Sequence, residues 1–469
     1  MVFITIKSDN QNTSFVLRKN PTTSPHLRKL RSGTLVGFFH ETDESEQIYV
    51  VRFIDSTNGL SFHKSSDDDS DYLRGTEFYH PLILPSVLTE LFSSAMNYGD
   101  ANRIEEDIVS KSEITQSMVY LSNRAVKLIN RINQQMSEIT KLDKKLLIEL
   151  IPIKIDEIIY DNCYQMKITG DCTLQTSFRY AYMIGHIMSY LTFGKAEPIS
   201  SGSIEKICGI ITELDIPYYV RYLFKTYMIK PSDLNRYIDQ LSESSHQLTL
   251  MPGNTQDQRY DFILNEVRDL IDLKQVSKLE VIDIGCGEGF YVKKLIKFLT
   301  TLSKKENTTL EIIYHAHDID PEEMEKIERL REIDSSYEVL QPHHTFDDLR
   351  NSIDQNDSTK LIIMSEVIEH VPLNEVVDFI KRITSLPFDR AVLTTPDVDF
   401  NVHYGISNSE STMEFRHDDH KKEYTKGEFY ELVTRAMSSV KPGLSYTQKM
   451  VGDIVDLDSV SQAIVIDSN

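Results

Sequence analysis

Cysteine is scarce in this sequence, and its spacing does not indicate a metal or redox motif. The 469 residues contain four cysteines, without a C-x-x-C pair: Cys163, Cys172, Cys208 and Cys286. Such rarity argues against a disulfide framework and is typical of proteins in a reducing compartment. We therefore interpret all four cysteines as structural or incidental.

Long apolar runs are also missing. No run reaches the roughly 20 residues that a membrane-spanning helix needs. The N-terminal residues Met-Val-Phe-Ile-Thr-Ile-Lys alternate like a β-strand and do not resemble a signal peptide. We expect a soluble protein of the cytoplasm that has no membrane partner.

Positive charge is in deficit. The chain has 50 Lys and Arg against 72 Asp and Glu, for a net charge of −22. Residues 251–469 hold 24 basic and 41 acidic residues, a net charge of −17, which leaves −5 for the first 250 residues. A surface of this sign does not attract nucleic acid along its length. Any contact with RNA or DNA must be local, aided by a metal ion or shared with a partner.

The first half of the chain contains no catalytic constellation, although its length predicts two or three domains for the whole protein. We predict a β-rich subdomain within residues 1–100, with strands over 2–6, 34–39 and 48–54. Residues 65–71 are acidic but lack the glycine and the distal glutamate of a calcium-binding loop, so we interpret them as a solvated loop.

Residues 101–245 are predicted to form a second small subdomain of mixed, helix-rich α/β structure. A strand is expected over 164–168 and helices over 178–191 and 204–214. Residues 102–143 are polar, charged and helical in period, which predicts a connector between subdomains. The first half is thus expected to be an α+β region of two small subdomains.

The character of the sequence changes over residues 246–469. Apolar strands at 279–284, 311–317, 361–364 and 390–395 alternate with segments of helical period. This alternation is typical of an α/β fold with a doubly wound, Rossmann-like parallel sheet. Ligands of such sheets bind at the C-terminal ends of the strands, so the residues that follow each strand are the candidates for a site.

A glycine-rich turn follows the first of these strands, in Asp283-Ile-Gly285-Cys-Gly287-Glu-Gly289. This G-x-G-x-G is one residue shorter than the dinucleotide fingerprint and has an aspartate directly before it. It suits a cofactor with a cationic centre and no pyrophosphate, as S-adenosylmethionine is. Asp318 ends the second strand, where a carboxylate binds a ribose diol, whereas Asp320 is better explained as a helix N-cap.

Three possible metal ligands, Glu366, Glu369 and His370, follow the third strand. If a helix begins there, their spacing places them on one face, although glutamate in a first turn is equally explained by the helix dipole. A second histidine-rich stretch with His417 and His420 lies about fifty residues on. Carboxylate and imidazole together suit one Mn or Mg ion with open positions better than a closed zinc site.

These residues fall within longer motifs that resemble a known family. The motifs are Glu366-Val-Ile-Glu369-His370, Thr395-Pro396-Asp397-Val-Asp-Phe-Asn401 and Phe415-Arg-His417-Asp-Asp-His420-Lys-Lys-Glu423-Tyr424-Thr425. The combination resembles the signature of the Hua-enhancer-type RNA 3′-terminal 2′-O-methyltransferases and is highly specific.

The first half resembles the bacterial branch of that family more loosely. The matches are Leu17-Arg-Lys19-Asn20-Pro21 and Tyr164-Gln-Met-Lys-Ile-Thr-Gly170-Asp-Cys-Thr-Leu174. The branch partners a polynucleotide kinase-phosphatase-ligase in RNA repair. The resemblance implies that residues 101–245 bind the ligase partner and that the N-terminal half activates it. Residues 246–469 are implied to be the S-adenosylmethionine-dependent methyltransferase domain.

The resemblance also implies a mechanism at the end of an RNA. Glu366, Glu369, His370 and His420 are implied to ligate one divalent ion. A terminal ribose with a free 2′,3′-diol would fill its two open positions, which lowers the pKa of the attacking 2′-hydroxyl. Either His370 or His420 is a candidate proton acceptor, and His417 is more simply explained as a surface histidine.

Two departures from the family pattern affect the expected contacts. The family usually has Phe-Glu-Trp-Thr where this chain has Lys422-Glu423-Tyr424-Thr425, and Asn where it has Asp397. The expected metal ligands are intact, so the departures point to altered contacts with substrate or cofactor. Two other functions stay open: a small-molecule O-methyltransferase on the same fold, and a scaffold or activator of an RNA ligase in which methylation is secondary.

Overall fold

A computed structural model describes residues 3–30, 33–40, 46–55, 80–97, 104–138, 146–155, 158–194, 200–305, 310–353, 358–406, 408–409, 412–413, 415–438 and 443–468. The chain divides into two compact units, Met1–Glu243 and Ser244–Asn469. The acidic run 65–71 lies outside the described residues. Within the described part, none of the helices has the combination of length and apolar character that crossing a membrane requires.

The first unit contains a seven-stranded antiparallel sheet with the strand order β2-β3-β4-β1-β5-β7-β6. Its strands are β1 Phe3–Ser8, β2 His26–Lys29, β3 Gly33–His40, β4 Gln47–Asp55, β5 Ser110–Tyr120, β6 Leu146–Ile155 and β7 Ile158–Cys172. The strands predicted in residues 1–100 and at 164–168 are confirmed. However, β1 pairs with both β4 and β5, so the sheet joins the two parts that the sequence analysis separated at residue 100.

Strand β5 corrects one expectation from the sequence. Its residues were included in the helical connector predicted over 102–143, yet they form a central strand, and among the described residues of that range the α-helix is Asn123–Glu138. The buried side chains of β5 include Ser112, Thr115 and Gln116, and the Ser112 hydroxyl hydrogen-bonds that of Ser177 at 2.7 Å. Because much of the buried face is polar, the strand does not show the apolar alternation by which strands are recognised.

Helices complete the first unit: Thr13–Val16, Ile83–Met96, Asn123–Glu138, Leu174–Phe193, Ser201–Glu213, Tyr218–Tyr227 and Pro231–Ser242, with a 3-10 turn at Pro21–Thr23. The largely buried helix Leu174–Phe193 begins after an N-cap at Thr173. The Asp107 carboxylate accepts hydrogen bonds from the backbone N–H groups of Leu174 and Gln175, at 2.8 and 3.0 Å. A buried anion at this end of the helix satisfies its free N–H groups and complements the helix dipole.

The second unit contains an eight-stranded sheet with the order β11-β10-β9-β12-β13-β17-β16-β8. The strands are β8 Leu248–Thr249, β9 Lys278–Ile284, β10 Glu311–His317, β11 Leu340–His343, β12 Thr359–Ser365, β13 Arg390–Pro396, β16 Leu444–Val455 and β17 Asp458–Ser468. The five strands from β11 to β13 in this order pair in parallel, which confirms the predicted doubly wound sheet. Strands β14 Asn408–Ser409 and β15 Thr412–Met413 form a separate pair.

Helices cover both faces of this sheet: Thr255–Lys274, Phe290–Lys305, Pro321–Ile333, Phe346–Ser352, Val376–Thr384 and Lys426–Met437, with 3-10 turns at Ser335–Val339, Ile368–His370 and Val398–Tyr404. Leu361 and Ile363 belong to the core on one face, and Ile362 and Met364 to the core on the other. Residues 361–364 of β12 form an unbroken apolar run because both faces of the strand are buried. The C-terminal end of β12 therefore lies in the middle of the sheet, between those of β9 and β13.

The antiparallel strands β16 and β17 were not predicted. Strand β17 pairs antiparallel with β13 and extends the sheet beyond its parallel part. Its first half buries the polar residues Ser459, Ser461 and Gln462, and the Gln462 amide donates to the Tyr424 carbonyl oxygen at 2.7 Å. This part of the strand is held by hydrogen bonds as well as by apolar packing, so its hydrophobic pattern is weak.

Candidate active site

The glycine-rich turn after β9 has three glycines in the left-handed region, with φ of +72° at Gly285, +48° at Gly287 and +75° at Gly289. A side chain at Gly285 would come within 2.5 Å of the Val367 side chain, and one at Gly289 would collide with Ile327. At Gly287 an added Cβ would meet nothing within 4 Å. Two glycines thus permit close packing, whereas the third borders open space that a ligand can enter.

Two aspartates lie at this turn in different environments. The backbone N–H of Gly287 donates to Asp318 Oδ2 at 2.9 Å, which joins the ends of β9 and β10. Asp283 is buried and accepts a hydrogen bond from the Tyr314 hydroxyl at 2.8 Å. Burial, reinforced by the charge of Asp318, raises the pKa of Asp283 to about 7. Asp283 therefore stabilises the turn from the protein interior, whereas Asp318 lies beside the turn and is partly exposed.

The chain turns sharply where β12 ends. Glu366 has a φ of +57°, and its backbone N–H donates to the Thr394 carbonyl oxygen at 3.0 Å. A single 3-10 turn, Ile368–His370, follows, and the next α-helix begins only at Val376. The α-helical face considered in the sequence analysis therefore does not form, because Pro372 disfavours α-helical geometry at the residue before it.

Three of the four expected metal ligands meet at this turn. One ligand atom from each of Glu369, His370 and His420 lies within 4.8 Å of the others. The backbone N–H groups of Lys421 and Lys422 donate to the Glu369 carbonyl oxygen at 2.7 and 3.2 Å. These two bonds bring together residues that lie about fifty positions apart in the sequence.

Glu369 is the buried centre of the cluster. Its Oε2 accepts a hydrogen bond from the Thr395 hydroxyl at 3.0 Å, while its Oε1 has no hydrogen-bond partner. Burial, and then the charge of nearby Glu366, raises the pKa of the Glu369 carboxyl well above its usual value. A buried carboxylate oxygen without a partner is costly unless a proton or a cation satisfies it.

Glu366, the fourth expected ligand, is held in a different contact. Its Oε2 forms an ion pair with Arg259 of the helix Thr255–Lys274 at 3.2 Å, and its Oε1 accepts from the Thr394 hydroxyl at 3.3 Å. Arg259 is also linked to Tyr291, whose hydroxyl hydrogen-bonds Ser365 at 2.9 Å. Arg259 was not identified from the sequence, where an arginine in a polar helix gives no signal of a site.

The two histidines of the cluster differ in exposure. The rings of His370 and His420 are 4.8 Å apart and nearly perpendicular. His370 is exposed, and its Nδ1 faces the Asp419 carboxylate at 3.3 Å. His420 is buried, and its Nδ1 lies 2.6 Å from Glu423 Oε1. The His417 ring lies 5.1 Å from that of His420, and His417 is absent from the three-residue cluster.

The donors of this cluster fit a divalent cation. Glu369 offers an unpartnered carboxylate oxygen, and the two rings offer imidazole nitrogens, a set that suits Mg, Mn or Zn. His420 has a carboxylate on its second nitrogen, the arrangement typical of metal-ligating histidines. Within the described residues this is the one His, Cys, Asp and Glu group close enough to hold an ion.

The two departures from the family pattern meet beside the cluster. Asp397 and Tyr424 form an isolated parallel bridge between β13 and the segment after His420. Both side chains are buried, and Asp397 forms an ion pair with Lys426 at 3.1 Å. The Tyr424 hydroxyl has no hydrogen-bond partner, and burial, with the charge of Glu369, raises its pKa to about 12. Asp397 thus has a structural contact here, while the Tyr424 hydroxyl remains available.

The strand order of the second unit, its glycine-rich turn and the carboxylates at its strand ends define the class: a Rossmann-like fold of the S-adenosylmethionine-dependent methyltransferases. The first unit identifies the family. A family model described as the Hen1 N-terminal domain matches residues 3–246. Because this match covers more than half of the 469 residues, the chain belongs to the Hen1 family.

Comparisons with individual proteins agree with this assignment. The small RNA 2′-O-methyltransferase of Caenorhabditis elegans is 26% identical over 186 residues, which are 37% of this chain. The match spans only 39% of that relative's length.

Two solved structures are similar to the whole chain. A chain in the structure of the Pnkp1/Rnl/Hen1 RNA repair complex has a TM-score of 0.72 and 21% identity, with 99% of this chain and 100% of that chain covered. A chain in a second structure, of the Pnkp1/Rnl/Hen1 complex, has a TM-score of 0.70 and 21% identity, with both chains covered in full. At this level of identity the similarity establishes the fold.

Proposed function

We propose that the second unit transfers a methyl group from S-adenosylmethionine to the 2′-hydroxyl of the 3′-terminal nucleotide of RNA, with the help of one Mn or Mg ion. The observation that carries the proposal is the meeting of Glu369, His370 and His420 at the end of β12. Val367, in the same turn, packs against Gly285, so the cluster adjoins the glycine-rich turn. The curated relative, a small RNA 2′-O-methyltransferase, supports the same activity.

Each group of side chains has a distinct task in this proposal. Gly285, Gly287 and Gly289 keep the turn narrow, and the open space at Gly287 admits the cofactor. Asp318 still has lone pairs for ribose hydroxyls after accepting from the backbone N–H groups of Gly287 and Asp320, whereas Asp283 stabilises the turn from the interior. The carboxylates help to balance the positive charge of the sulfonium.

Glu369, His370 and His420 hold the metal ion, and Thr395 fixes the orientation of the Glu369 carboxylate. When bound, a divalent ion lowers the pKa of a coordinated hydroxyl and orients it for attack. Glu366 would complete the set expected from the family if its carboxylate left the ion pair with Arg259. Arg259 then remains as a fixed positive charge beside the site.

The negative charge of the second unit determines which RNA 3′ ends can bind. Residues 251–469 carry a net charge of −17, so a broad basic groove is not available and the ion supplies much of the attraction for the terminus. A 3′-phosphate or a 2′,3′-cyclic phosphate masks the oxygens that the ion needs. The preferred substrate is therefore an RNA 3′ end with a free 2′,3′-diol, produced by phosphatase action and not yet sealed.

Methyl transfer to matched RNAs tests this proposal. We expect labelled methyl transfer to an RNA ending in a diol and little or none to the same RNA ending in a 3′-phosphate. A terminal 3′-deoxyribose keeps the nucleophile but removes one metal-binding oxygen, and we expect it to lose most of the rate. Equal rates for all three ends would contradict bidentate binding of the ribose.

The metal requirement is tested with an isosteric variant. Glu369→Gln removes the buried charge but keeps a hydrogen-bonding partner for Thr395, and we expect it to lose Mn binding in calorimetry together with methyl transfer. Glu375→Gln changes an exposed glutamate six positions further on and serves as the matched control. Wild-type transfer by Glu369→Gln in the presence of a chelator would refute the metal site.

We also propose that the first unit binds and activates a kinase-phosphatase-ligase partner in RNA repair. The support is the Hen1 N-terminal domain match and the similarity to a chain of the Pnkp1/Rnl/Hen1 complex. Among its described residues, this unit contains no group of metal-ligating side chains that could serve catalysis. Co-purification of the partner with the full chain but not with residues 244–469, and a higher ligation rate when the full chain is added, are the expected results.

A further inference from the structure

Glu423 is a carboxylate whose hydrogen bonds are all directed inward. The residue is fully buried. Its Oε1 accepts from His420 Nδ1 at 2.6 Å and from the Arg416 backbone N–H at 2.8 Å, and its Oε2 accepts from Asn401 Nδ2 at 2.6 Å. With three donors and no exposed surface, Glu423 has no accessible oxygen to offer a metal ion or a substrate.

A second layer of contacts fixes this carboxylate. Arg416 Nε donates to Asn401 Oδ1 at 2.5 Å, so the amide that donates to Glu423 is itself held in one orientation. The Arg416 guanidinium also donates to the carbonyl oxygens of Val460, at 2.5 Å, and of Asp397. Two backbone carbonyl groups and one amide side chain thus anchor the Arg416 guanidinium, and Glu423 has little freedom to turn away from His420.

The consequence for His420 concerns which ring nitrogen carries the proton. An ionised carboxylate only accepts hydrogen bonds, so the short contact to Glu423 places the proton on Nδ1 and leaves the lone pair on Nε2. Nε2 is the nitrogen that remains to join Glu369 and His370 in the cluster. Without Glu423, the ring could rotate and its other tautomer would direct an N–H toward the ion.

We propose that Glu423 is a positioning residue that holds His420 in the tautomer and orientation required for a divalent ion. The inference rests on the proposed metal site and adds the group that makes its buried histidine a competent ligand. In metal sites, loss of such a partner costs about 10- to 100-fold in metal affinity. We expect the same range here for Glu423→Ala.

Mn binding to the full chain, measured by calorimetry at a temperature where each variant is folded, tests the proposal. The series is wild type, Glu423→Gln, Glu423→Ala and the surface control Glu431→Ala, whose glutamate is exposed in the next helix. The Gln variant can keep a neutral oxygen acceptor for Nδ1 but turns its amide toward Asn401. We therefore expect its affinity to lie between those of the wild type and of Glu423→Ala. The control should bind Mn like the wild type, and all folded variants should keep S-adenosylmethionine affinity.

The outcomes separate this inference from the function on which it depends. A wild-type chain that binds no Mn would overturn the metal site, and the role of Glu423 with it. Normal Mn binding by the wild type and by folded Glu423→Ala would overturn the positioning role alone. If Glu423→Ala does not fold, the Gln variant decides: affinity equal to the wild type contradicts the proposal, and a loss of several-fold supports it. Equal losses of Mn and S-adenosylmethionine affinity would instead indicate a general structural role.

Discussion

Replacing Gly287 by alanine separates cofactor binding from folding. Gly287 has a φ of +48°, and an added Cβ meets no atom within 4 Å, so the protein itself has room for the methyl group. The expected cost to folding is the strain of an L-residue in the left-handed region, about 1–2 kcal/mol. For a unit of this size that strain lowers the unfolding temperature by roughly 2–8 °C.

Gly287→Ala should also weaken cofactor binding, in addition to lowering the stability of the fold. If S-adenosylmethionine approaches the backbone at Gly287, the methyl group occupies part of its space, and overpacking of this kind costs about 1–3 kcal/mol. That corresponds to a loss of roughly 5- to 140-fold in affinity. The larger β-branched side chain of Gly287→Val should abolish binding. Calorimetry with S-adenosylmethionine measures both variants.

Gly443→Ala is the matched control for backbone strain. Gly443 has a φ of +83°, and its added Cβ likewise meets nothing within 4 Å, but it precedes β16, away from the glycine-rich turn. We expect it to lose stability like Gly287→Ala and to keep full cofactor affinity. Undiminished affinity in a folded Gly287→Ala variant would refute the assignment of the turn to the cofactor.

Three further predictions concern the two units. Residues 244–469 expressed alone should still methylate RNA, because the cluster and the glycine-rich turn lie within them; loss of all transfer by the folded fragment would show that the catalytic site needs the first unit. Burial, followed by the charge of Lys206, lowers the pKa of His186 to about 4. The folded pKa of His186 is below its unfolded value of about 6.5, so neutral His186 stabilises the fold above pH 6.5 and this contribution is lost as the pH falls toward 4. The His186→Phe variant should therefore lose less stability than the wild type between about pH 6.5 and about pH 4, as measured by denaturant titrations at each pH. Arg221→Met should destabilise the first unit by about 3–5 kcal/mol, because the buried Arg221 guanidinium bonds the carbonyl oxygens of Ile216 and Leu241 at 2.6 and 2.8 Å; a denaturation midpoint like that of the wild type would contradict this.

In the second unit, the sequence predicted those parts whose residue pattern is compatible with a single type of local structure. Strand β12 has an unbroken apolar run over residues 361–364 and β9 ends in a glycine-rich turn, so both the sheet and the candidate site at its edge followed from the sequence. The 3-10 turn at Ile368–His370 and the ion pair between Arg259 and Glu366 did not follow. Both depend on which side chains meet in three dimensions, and Arg259 comes from a helix about 100 residues earlier in the sequence.

The first unit shows the opposite case. Strand β5 buries Ser112 and Gln116, and their hydrogen bonds replace the apolar contacts that pattern recognition depends on. A sequence with polar residues at buried positions therefore predicts a solvated segment where the structure has a central strand. Glu423 lies three residues after His420, a candidate ligand, and this spacing is a usable signal in the sequence for a residue that contacts the histidine.

The strand order of the first unit also constrains how the chain can fold during synthesis. Strand β1 is made first, yet it lies between β4 and β5, and β5 in turn pairs with β7, which ends at Cys172. Until those residues have left the ribosome, one edge of β1 has no partner and exposes free backbone groups. A sheet closed by such distant pairings folds slowly. The nascent chain must therefore protect the free edge of β1 from association with other chains for as long as it takes to synthesise β5.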